Sequence, residues 1–286
     1  MRFRPFSGAV LSVPAALLSI ALLLALGMGR PPSAQGAGTI LQVTTASDED
    51  NPGNGVCSLR EAITAANNNS YAEDSCNASG STGTDSIRFN IGSETPVIII
   101  SSPLPSITDA VLIRGNTGGA TRVELRGSGG PATGLDIRAG NVTVRNMVIN
   151  GFVNGIQTFG NSPNITILGS FIGTDATGQV AIPNARGIYV QTPEVHIGGT
   201  TSVTPGGSCT GDCNVISGNT IAGIAYPDVW VTSTGYIKGN FIGTDVDGAD
   251  AIPNSYGILM SDAGYGPFAI GGTEAGAGNL ISGNTA

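Results

Sequence analysis

One stretch of this chain occurs twice almost unchanged, and this repeat limits the possible folds more than any other feature. Residues 171–188 read FIGTDATGQVAIPNARGI, and residues 241–258 read FIGTDVDGADAIPNSYGI. A second phrase, NVISGNT at residues 214–220, returns as NLISGNT at residues 279–285. Near-identity at a spacing of about 70 residues indicates one structural unit stacked repeatedly, so we expect a solenoid.

The composition favours a β solenoid over a helical one. Glycine is the commonest residue, at 44 of 286, and Asn, Thr, Ile and Val are frequent. This mixture disfavours helices and favours short strands between turns. Pairs such as Val142/Val144 and Ile165/Ile167 alternate as half-buried strands do. We therefore predict an all-β, right-handed parallel β-helix over residues 85–286.

Recurring corners set the predicted length of one coil. An apolar residue followed by a small residue or an Asn recurs along the chain, and the gaps between successive corners are 23, 49, 21 and 44 residues. These gaps are close to multiples of about 23 residues, so the 70-residue repeat is predicted to hold three coils. The last residues of the corners are Asn146, Gly169, Gly218, Gly239 and Gly283.

Asparagines follow three of these corners and predict an internal ladder. Asn219, Asn240 and Asn284 are placed at equivalent positions of different coils. Asn tolerates left-handed backbone and can hydrogen-bond to an Asn in the next coil. Ser170 and Met147 occupy the same place in earlier coils, where the ladder is expected to be broken.

The first 36 residues have the layout of a secretory signal peptide. Arg2 and Arg4 precede an apolar run over residues 9–28, and small residues suited to cleavage lie near Ala34–Ala37. An uncleaved membrane anchor is the alternative, because the run is nearly long enough to span a bilayer. Cleavage leaves nine basic residues against 20 acidic ones, a net charge near −11. Nucleic acid is therefore not expected as a partner, and neither is insertion into a membrane.

The four cysteines predict two disulfides in an exported protein. Three pairings are formally possible, and proximity in sequence favours Cys57 with Cys76 and Cys209 with Cys213. A zinc site is the alternative, but this spacing with a single histidine matches no familiar zinc motif.

Residues 56–69, VCSLREAITAANNN, carry the one convincing helical pattern. Ser58 and Glu61 have the spacing of a capping box, which satisfies free amides at the start of a helix. Leu59 and Ile63 belong to one apolar face at helical spacing.

This helix is predicted to cover the open end of the β-helix. Such an end exposes unpaired strand edges and apolar interior, so it needs a cover. We place the capping module at residues 37–84, with the apolar helix face against the coil and Arg60 as a solvated or salt-bridged flank.

The same segment resembles a known family. CSLREA at residues 57–62 is similar to the signature of exported bacterial proteins with parallel β-helix bodies. AAN at residues 65–67, D-x-I-x-F at residues 85–89 and the IGGT, ISGN and IGTD phrases are similar to that family too. The resemblance covers nearly all of the exported chain and implies a pectin-lyase-like fold. It implies no activity for individual residues.

Patterns for catalysis are sparse. His196 is the only histidine, so His-based triads and multi-His metal sites are not expected. Polysaccharide lyases of this fold use acidic calcium ligands with an Arg or Lys base, yet Arg186 and Lys238 are the only basic residues after Arg145. Glycosidases need paired carboxylates, and the acidic candidates lie in turn motifs: Asp175, Asp228 and Asp245.

Two candidate ligand sites follow from local patterns. Asp245 and Asp247, in a D-x-D-G arrangement, suggest calcium, although an Asx-type turn is the alternative. Tyr226 and Trp230 are four residues apart in YPDVW, which places them on one face of an extended segment. They form a candidate sugar-stacking platform, extended by Tyr189 and Tyr256, and edge packing is the alternative.

Together these patterns predict a secreted or cell-surface bacterial protein. We expect it to be non-catalytic and to present a repetitive face for extracellular polysaccharide or cell-surface glycans. A polysaccharide lyase or glycoside hydrolase acting in a lateral groove is the alternative.

The second ISGNT phrase is followed only by Ala286, whereas the first continues into a strand. We expect further coils in the full gene, or self-association through this end.

Overall fold

A computed structural model describes residues 38–69, 76, 83–227, 234–261 and 268–286. The predicted leader, residues 1–36, lies outside the described residues. The described residues form one α-helix and 20 short strands. The helix α1 is Leu59–Asn68, and the strands are β1 Ile40–Val43, β2 Asp85–Phe89, β3 Val97–Ile100, β4 Val111–Arg114, β5 Val123–Gly127, β6 Thr133–Ile137, β7 Val142–Arg145, β8 Met147–Asn150, β9 Asn154–Phe159, β10 Ile165–Leu168, β11 Phe171–Ile172, β12 Arg186–Gln191, β13 Val195–Gly198, β14 Val215–Ile216, β15 Ala222–Tyr226, β16 Tyr236–Lys238, β17 Phe241–Ile242, β18 Tyr256–Met260, β19 Ala269–Ile270 and β20 Leu280–Ile281.

The strands build three parallel sheets, so the predicted parallel β-helix is confirmed. The first sheet has the order β1-β2-β4-β7-β10-β13-β16-β19. The second has the order β3-β5-β8-β11-β14-β17-β20, and the third has β6-β9-β12-β15-β18. Each coil contributes successive strands to the sheets, and inward side chains such as Val142 and Val144 are fully buried. Their outward neighbours Thr143 and Arg145 remain partly exposed, which is the alternation expected of half-buried strands.

The predicted division of the repeat into three coils is wrong. Ile167 is in register with Ile197, and Ile197 is in register with Ile237, so 70 residues span two coils. A step of 23 residues occurs only between Val142 and Ile165 among the described coils, because loops of unequal length lengthen the others. The fold class therefore holds, but the uniform coil length does not.

Two different corners carry the same residue pattern, which explains the error. Gly169 follows a strand of the first sheet, whereas Gly218 follows a strand of the second. Both glycines have positive φ, 57° and 78°, a conformation that favours glycine. Because both turns impose the same requirement, similar letters appear at two places in one coil.

The predicted asparagine ladder exists, but as two ladders. At the corner between the first and second sheets, Asn214 Nδ2 donates to Asn240 Oδ1 at 2.8 Å, and Asn240 Nδ2 donates to Asn279 Oδ1 at 3.0 Å. Ser170 extends this ladder: its amide donates to Asn214 Oδ1, and its hydroxyl accepts from the amide of Met147. Asn240 therefore does not share a position with Asn219 and Asn284.

The second ladder lies between the second and third sheets. Its side-chain amides hydrogen-bond in sequence across four coils, over 3.1, 2.9 and 2.9 Å. Each side chain also donates to a main-chain carbonyl of a neighbouring coil. Buried amides are thereby satisfied, as buried polar groups must be. The members are Asn184, Asn219, Asn254 and Asn284.

The capping helix forms as predicted. Ser58 is its N-cap, its side chain accepts from the amide of Glu61, and the Glu61 carboxylate accepts from the amide of Ser58. Leu59 and Ile63 are each 1% exposed and belong to the main hydrophobic core. The helix contacts β1 and β2, at the first strands of the first sheet.

Arg60 is the salt-bridged flank rather than a solvated one. Its guanidinium contacts both carboxylate oxygens of Asp48, at 2.8 and 3.1 Å. It also donates to the main-chain oxygens of Ser102 and Pro103. The side chain therefore fastens the cap to the loop after β3, which accounts for its position without a catalytic role.

Both predicted disulfides are present, Cys57–Cys76 and Cys209–Cys213. The first anchors the start of the capping helix, and the second closes a short loop between β13 and β14. None of the helices that the structure describes is long and apolar enough to cross a membrane.

Candidate ligand-binding face

The predicted sugar-stacking pair is not supported at Tyr226. This side chain is 2% exposed and packs edge-on against Phe268, with ring centroids 5.2 Å apart. It points inward because Ile224 and Tyr226 share a face of β15 and are in register with Ile258 and Met260. A buried ring offers no surface to a sugar. Trp230 lies outside the described residues.

Asp245 forms the turn that was the alternative to a calcium site. Its Oδ1 accepts from the amides of Ala249 at 2.9 Å and Asp250 at 3.2 Å. Asp247 accepts from the hydroxyl of Ser208 at 2.7 Å. No group of three or more His, Cys, Asp or Glu side chains in the described ranges could hold a metal ion. Calcium binding at Asp245 and Asp247 stays a prediction.

The repeated FIGTD segments form hairpins that cover the second sheet. Bridges between Thr174 and Ala181, and between Thr244 and Ala251, close the two hairpins. The amide of Val246 donates to the carbonyl of Gly178 at 3.0 Å, so the hairpins contact each other across two coils. The disulfide loop joins them through Cys209, whose amide donates to Val246. Beneath them lies a separate apolar cluster: Val148, Phe171, Cys209, Cys213 and Val215.

The outer face of the third sheet keeps a polar and aromatic surface over β6, β9 and β12. Three rows run across these strands because successive coils are in register. We call this surface the open face. Its members are Thr133, Asp136, Arg138, Asn154, Gln157, Phe159, Arg186, Tyr189 and Gln191.

Amide side chains on the open face form a continuous network. Gln157 Oε1 accepts from Asn154 Nδ2 at 3.0 Å, and Gln157 Nε2 donates to Gln191 Oε1 at 3.4 Å. The Thr133 hydroxyl lies 3.3 Å from Gln157 Oε1. Amides both donate and accept, so this network fixes their orientation and leaves further donor and acceptor sites at the surface.

Two aromatic rings lie in the same surface, each beside a guanidinium. Arg186 lies over the Tyr189 ring at 5.0 Å, and Arg138 lies over the Phe159 ring at 5.3 Å. Phe159 is 46% exposed, which is unusual for a phenylalanine with no apolar neighbour on its strand pair. The cation–π contacts hold the rings in place without covering them.

A cleft of about 210 Å³ adjoins the network at β6. Its wall includes Ser106, Asp136 and Gln157. One oxygen of Asp136 accepts from Ser106 at 2.6 Å and from Arg138 at 2.8 Å. The other, Oδ1, accepts no hydrogen bond from the described residues. The cleft wall therefore retains an unused acceptor.

The described part of the open face contains one carboxylate, Asp136, and Arg138 is already paired with it at 2.8 Å. Acid–base cleavage of a glycosidic bond needs two carboxyl groups. The predicted carboxylates elsewhere are used locally: Asp175 and Asp245 cap turns, and Asp228 lies outside the described residues.

His196 lies on a different face, the outside of the first sheet. It stacks on Tyr236 with ring centroids 4.4 Å apart. Burial lowers the pKa of His196, and Glu194 and Lys238 oppose each other in smaller effects. Burial likewise raises the pKa of Tyr236, together with Asp212 and Glu274. Both rings are thus held in their neutral forms.

A recurring glycine that begins the strands of the third sheet is the signal that sequence reasoning missed. A Cβ on Gly134 or Gly187 would lie 2.5 Å from a glycine carbonyl oxygen of the next coil, closer than side chains tolerate. The glycines also leave room for the second asparagine ladder. Their spacing gives the true coil lengths. The members are Gly134, Gly155, Gly187, Gly223 and Gly257.

Comparison of this chain with protein-family models, curated proteins and solved structures gave no match.

Proposed function

We propose that this chain is an exported, non-catalytic binding protein that holds a neutral glycan against the open face of its third sheet. The observation that carries the proposal is the combination, on one uncovered surface, of an oriented amide network, two ring faces and an adjoining cleft. The binding chemistry is not repeated from coil to coil. The repetitive face expected from the sequence is therefore replaced in this proposal by a local one.

The chemistry of these groups matches a sugar. A pyranose presents hydroxyls in both donor and acceptor roles together with an apolar face of C–H groups. Gln157 and Gln191 offer both donors and acceptors, and the ring of Tyr189 offers a flat apolar face with a polar tip. Binding sites commonly combine apolar surface with a few oriented polar groups.

Two observations favour export. Disulfides persist mainly in oxidising compartments, and this chain has two among the described residues. The leader pattern at residues 1–36 and the CSLREA resemblance point the same way. Membership of the CSLREA family remains a proposal.

The competing function is a polysaccharide lyase or hydrolase. It would require a second carboxylate or a base beside Asp136, and the described open face supplies only Arg138 and Arg186 as basic groups. The non-catalytic function is therefore preferred, and cleavage is included as an outcome of the test.

Titration of the full chain with neutral hexasaccharides built on glucose, mannose, xylose or N-acetylglucosamine tests the proposal. At least one should bind, and Tyr189→Ala should weaken that binding by about tenfold, which corresponds to 1.4 kcal/mol. The matched control is Tyr236→Ala, which removes a ring from the first sheet and should leave affinity unchanged.

Binding by none of the four sugars, or equal losses in both variants, would overturn the proposal. New reducing ends or unsaturated products after incubation would show that the protein is an enzyme instead.

A further inference from the structure

Three arginines lie side by side on the outer face of the first sheet. Arg88 is in register with Arg114, and Arg114 is in register with Arg145. Neighbouring strands are about 4.8 Å apart, so the three side chains leave the sheet at that spacing. We call Arg88, Arg114 and Arg145 the arginine row.

The arginine row lacks the partners that other arginines of this chain have. Elsewhere Arg60, Arg126 and Arg138 each pair with a carboxylate within 2.8 Å. In the described ranges, neither Arg88 nor Arg114 has a carboxylate within 4.0 Å, and Arg114 Nε is buried without an acceptor.

Arg145 is only weakly paired. It reaches Asp212 at 3.8 Å and accepts help from Asn146 Oδ1 at 3.2 Å from its Nε.

Such a row is unfavourable for stability alone. Like charges directly opposite each other on neighbouring strands are destabilising. The chain carries 20 acidic residues against 12 basic ones, so carboxylates for pairing are plentiful in its composition. Concentrating unpaired positive charge at one place on an acidic chain therefore calls for an anion from outside.

A polar cleft of about 340 Å³ adjoins the row on the same side of the sheet. Thr143 lines it and points outward two residues before Arg145. Asn141 and Asn164 lie at its rim, joined by a hydrogen bond of 2.7 Å. Hydroxyl and amide groups thus lie beside the charged row.

We infer that the arginine row and this cleft bind an acidic polysaccharide that lies across the strands of the first sheet. A guanidinium binds a carboxylate or a sulfate through two parallel hydrogen bonds. A row with a regular spacing matches a polymer with regularly repeated anions, and Thr143 and Asn141 meet its hydroxyls. The net negative charge of the chain disfavours the denser phosphates of nucleic acid. This site is separate from the open face and does not depend on it.

Binding of the full chain to alginate, dextran sulfate, neutral dextran and single-stranded DNA tests the inference at about 50 mM salt and again at about 300 mM, where screening is stronger. Alginate or dextran sulfate should bind, more weakly at high salt, and dextran should not. Arg114→Gln should weaken binding about fivefold, and Arg88→Gln with Arg114→Gln about twentyfold. Lys238→Gln is the control, because it removes one positive charge from the same sheet outside the row.

The melting temperature separates this role from a structural one. Arg114→Gln should melt at the same temperature or higher, because the substitution relieves repulsion between like charges. A lower melting temperature with unchanged binding would overturn the inference. So would equal losses in Lys238→Gln and Arg114→Gln, stronger binding of DNA than of alginate, or binding of no polyanion.

Discussion

The second and third sheets are stacked in the same coils, yet their outer faces differ completely. The second sheet is covered by two hairpins and a disulfide loop that contact one another and enclose their own apolar cluster. In the third sheet, β6, β9 and β12 leave polar and aromatic side chains at the surface. In one molecule, insertions at one corner seal a face, and their absence at another leaves a face available to a ligand.

This difference separates stability from binding. Apolar side chains outside the coil, such as Phe171, are buried only because the hairpins lie over them. Side chains such as Phe159 stay exposed although nothing in the packing of the coil requires an aromatic there. Substitutions on the covered face should therefore change stability, and substitutions on the open face should change binding.

Phe171→Ala should have the largest effect. Phe171 is 2% exposed and lies under the guanidinium of Arg122 at 3.7 Å, so its truncation leaves a cavity and should cost about 3–5 kcal/mol in the free energy of unfolding. Chemical denaturation measures this cost. Phe159→Ala on the open face is the control, and a similar loss there would erase the distinction between the two faces.

Asn219→Ala should follow closely. Asn219 belongs to the ladder beneath both faces, and its loss leaves buried partners at Asn184 and Ile172 without hydrogen bonds. An unsatisfied buried group costs about 1–3 kcal/mol, so we expect a loss of about 3 kcal/mol by denaturation. The exposed Asn161→Ala is the matched control. Equal stability of the two variants would mean that the ladder contributes nothing.

Replacement of Cys209 and Cys213 by Ala should have a smaller effect. The bond closes a short loop, for which chain entropy predicts about 2 kcal/mol. Thermal unfolding should show the loss, and glycan affinity should stay unchanged because the loop lies on the covered face. Reduced affinity in this variant would connect the two faces and contradict their separation.

His196→Gln should have the smallest effect, visible only as a dependence on pH. Because burial lowers the pKa of His196 in the folded chain, the unfolded chain binds more protons as the pH falls below about 6.5. The wild type should therefore lose more stability than the variant between pH 7 and pH 5.5. Parallel stability curves over this range would contradict the shift.

Much of the fold could be predicted from local requirements. The cap followed from Ser58 and Glu61, and the disulfides followed from proximity of the cysteines. The coil count could not be read from the corner motif, because the turns at Gly169 and Gly218 impose the same backbone demand at different corners.

The candidate site was harder to predict. Tyr226 looked exposed in the sequence, and only its register with Met260 places it inside. The open face brings together Asp136, Gln157 and Tyr189 from three coils separated by loops of different length. No local spacing encodes such a contact, because sequence separation in a solenoid depends on the inserted loops.

The separation of a covered face from a binding face is tested most directly by hydroxyl-radical footprinting with and without the tightest neutral hexasaccharide. A sugar that does not bind serves as the control for radical scavenging. We predict that the sugar protects Phe159 and Tyr189, and that the reactivity of Tyr236 and Phe241 does not change. Protection of Phe241 or Tyr236, with Phe159 and Tyr189 as reactive as before, would contradict the binding role of the open face.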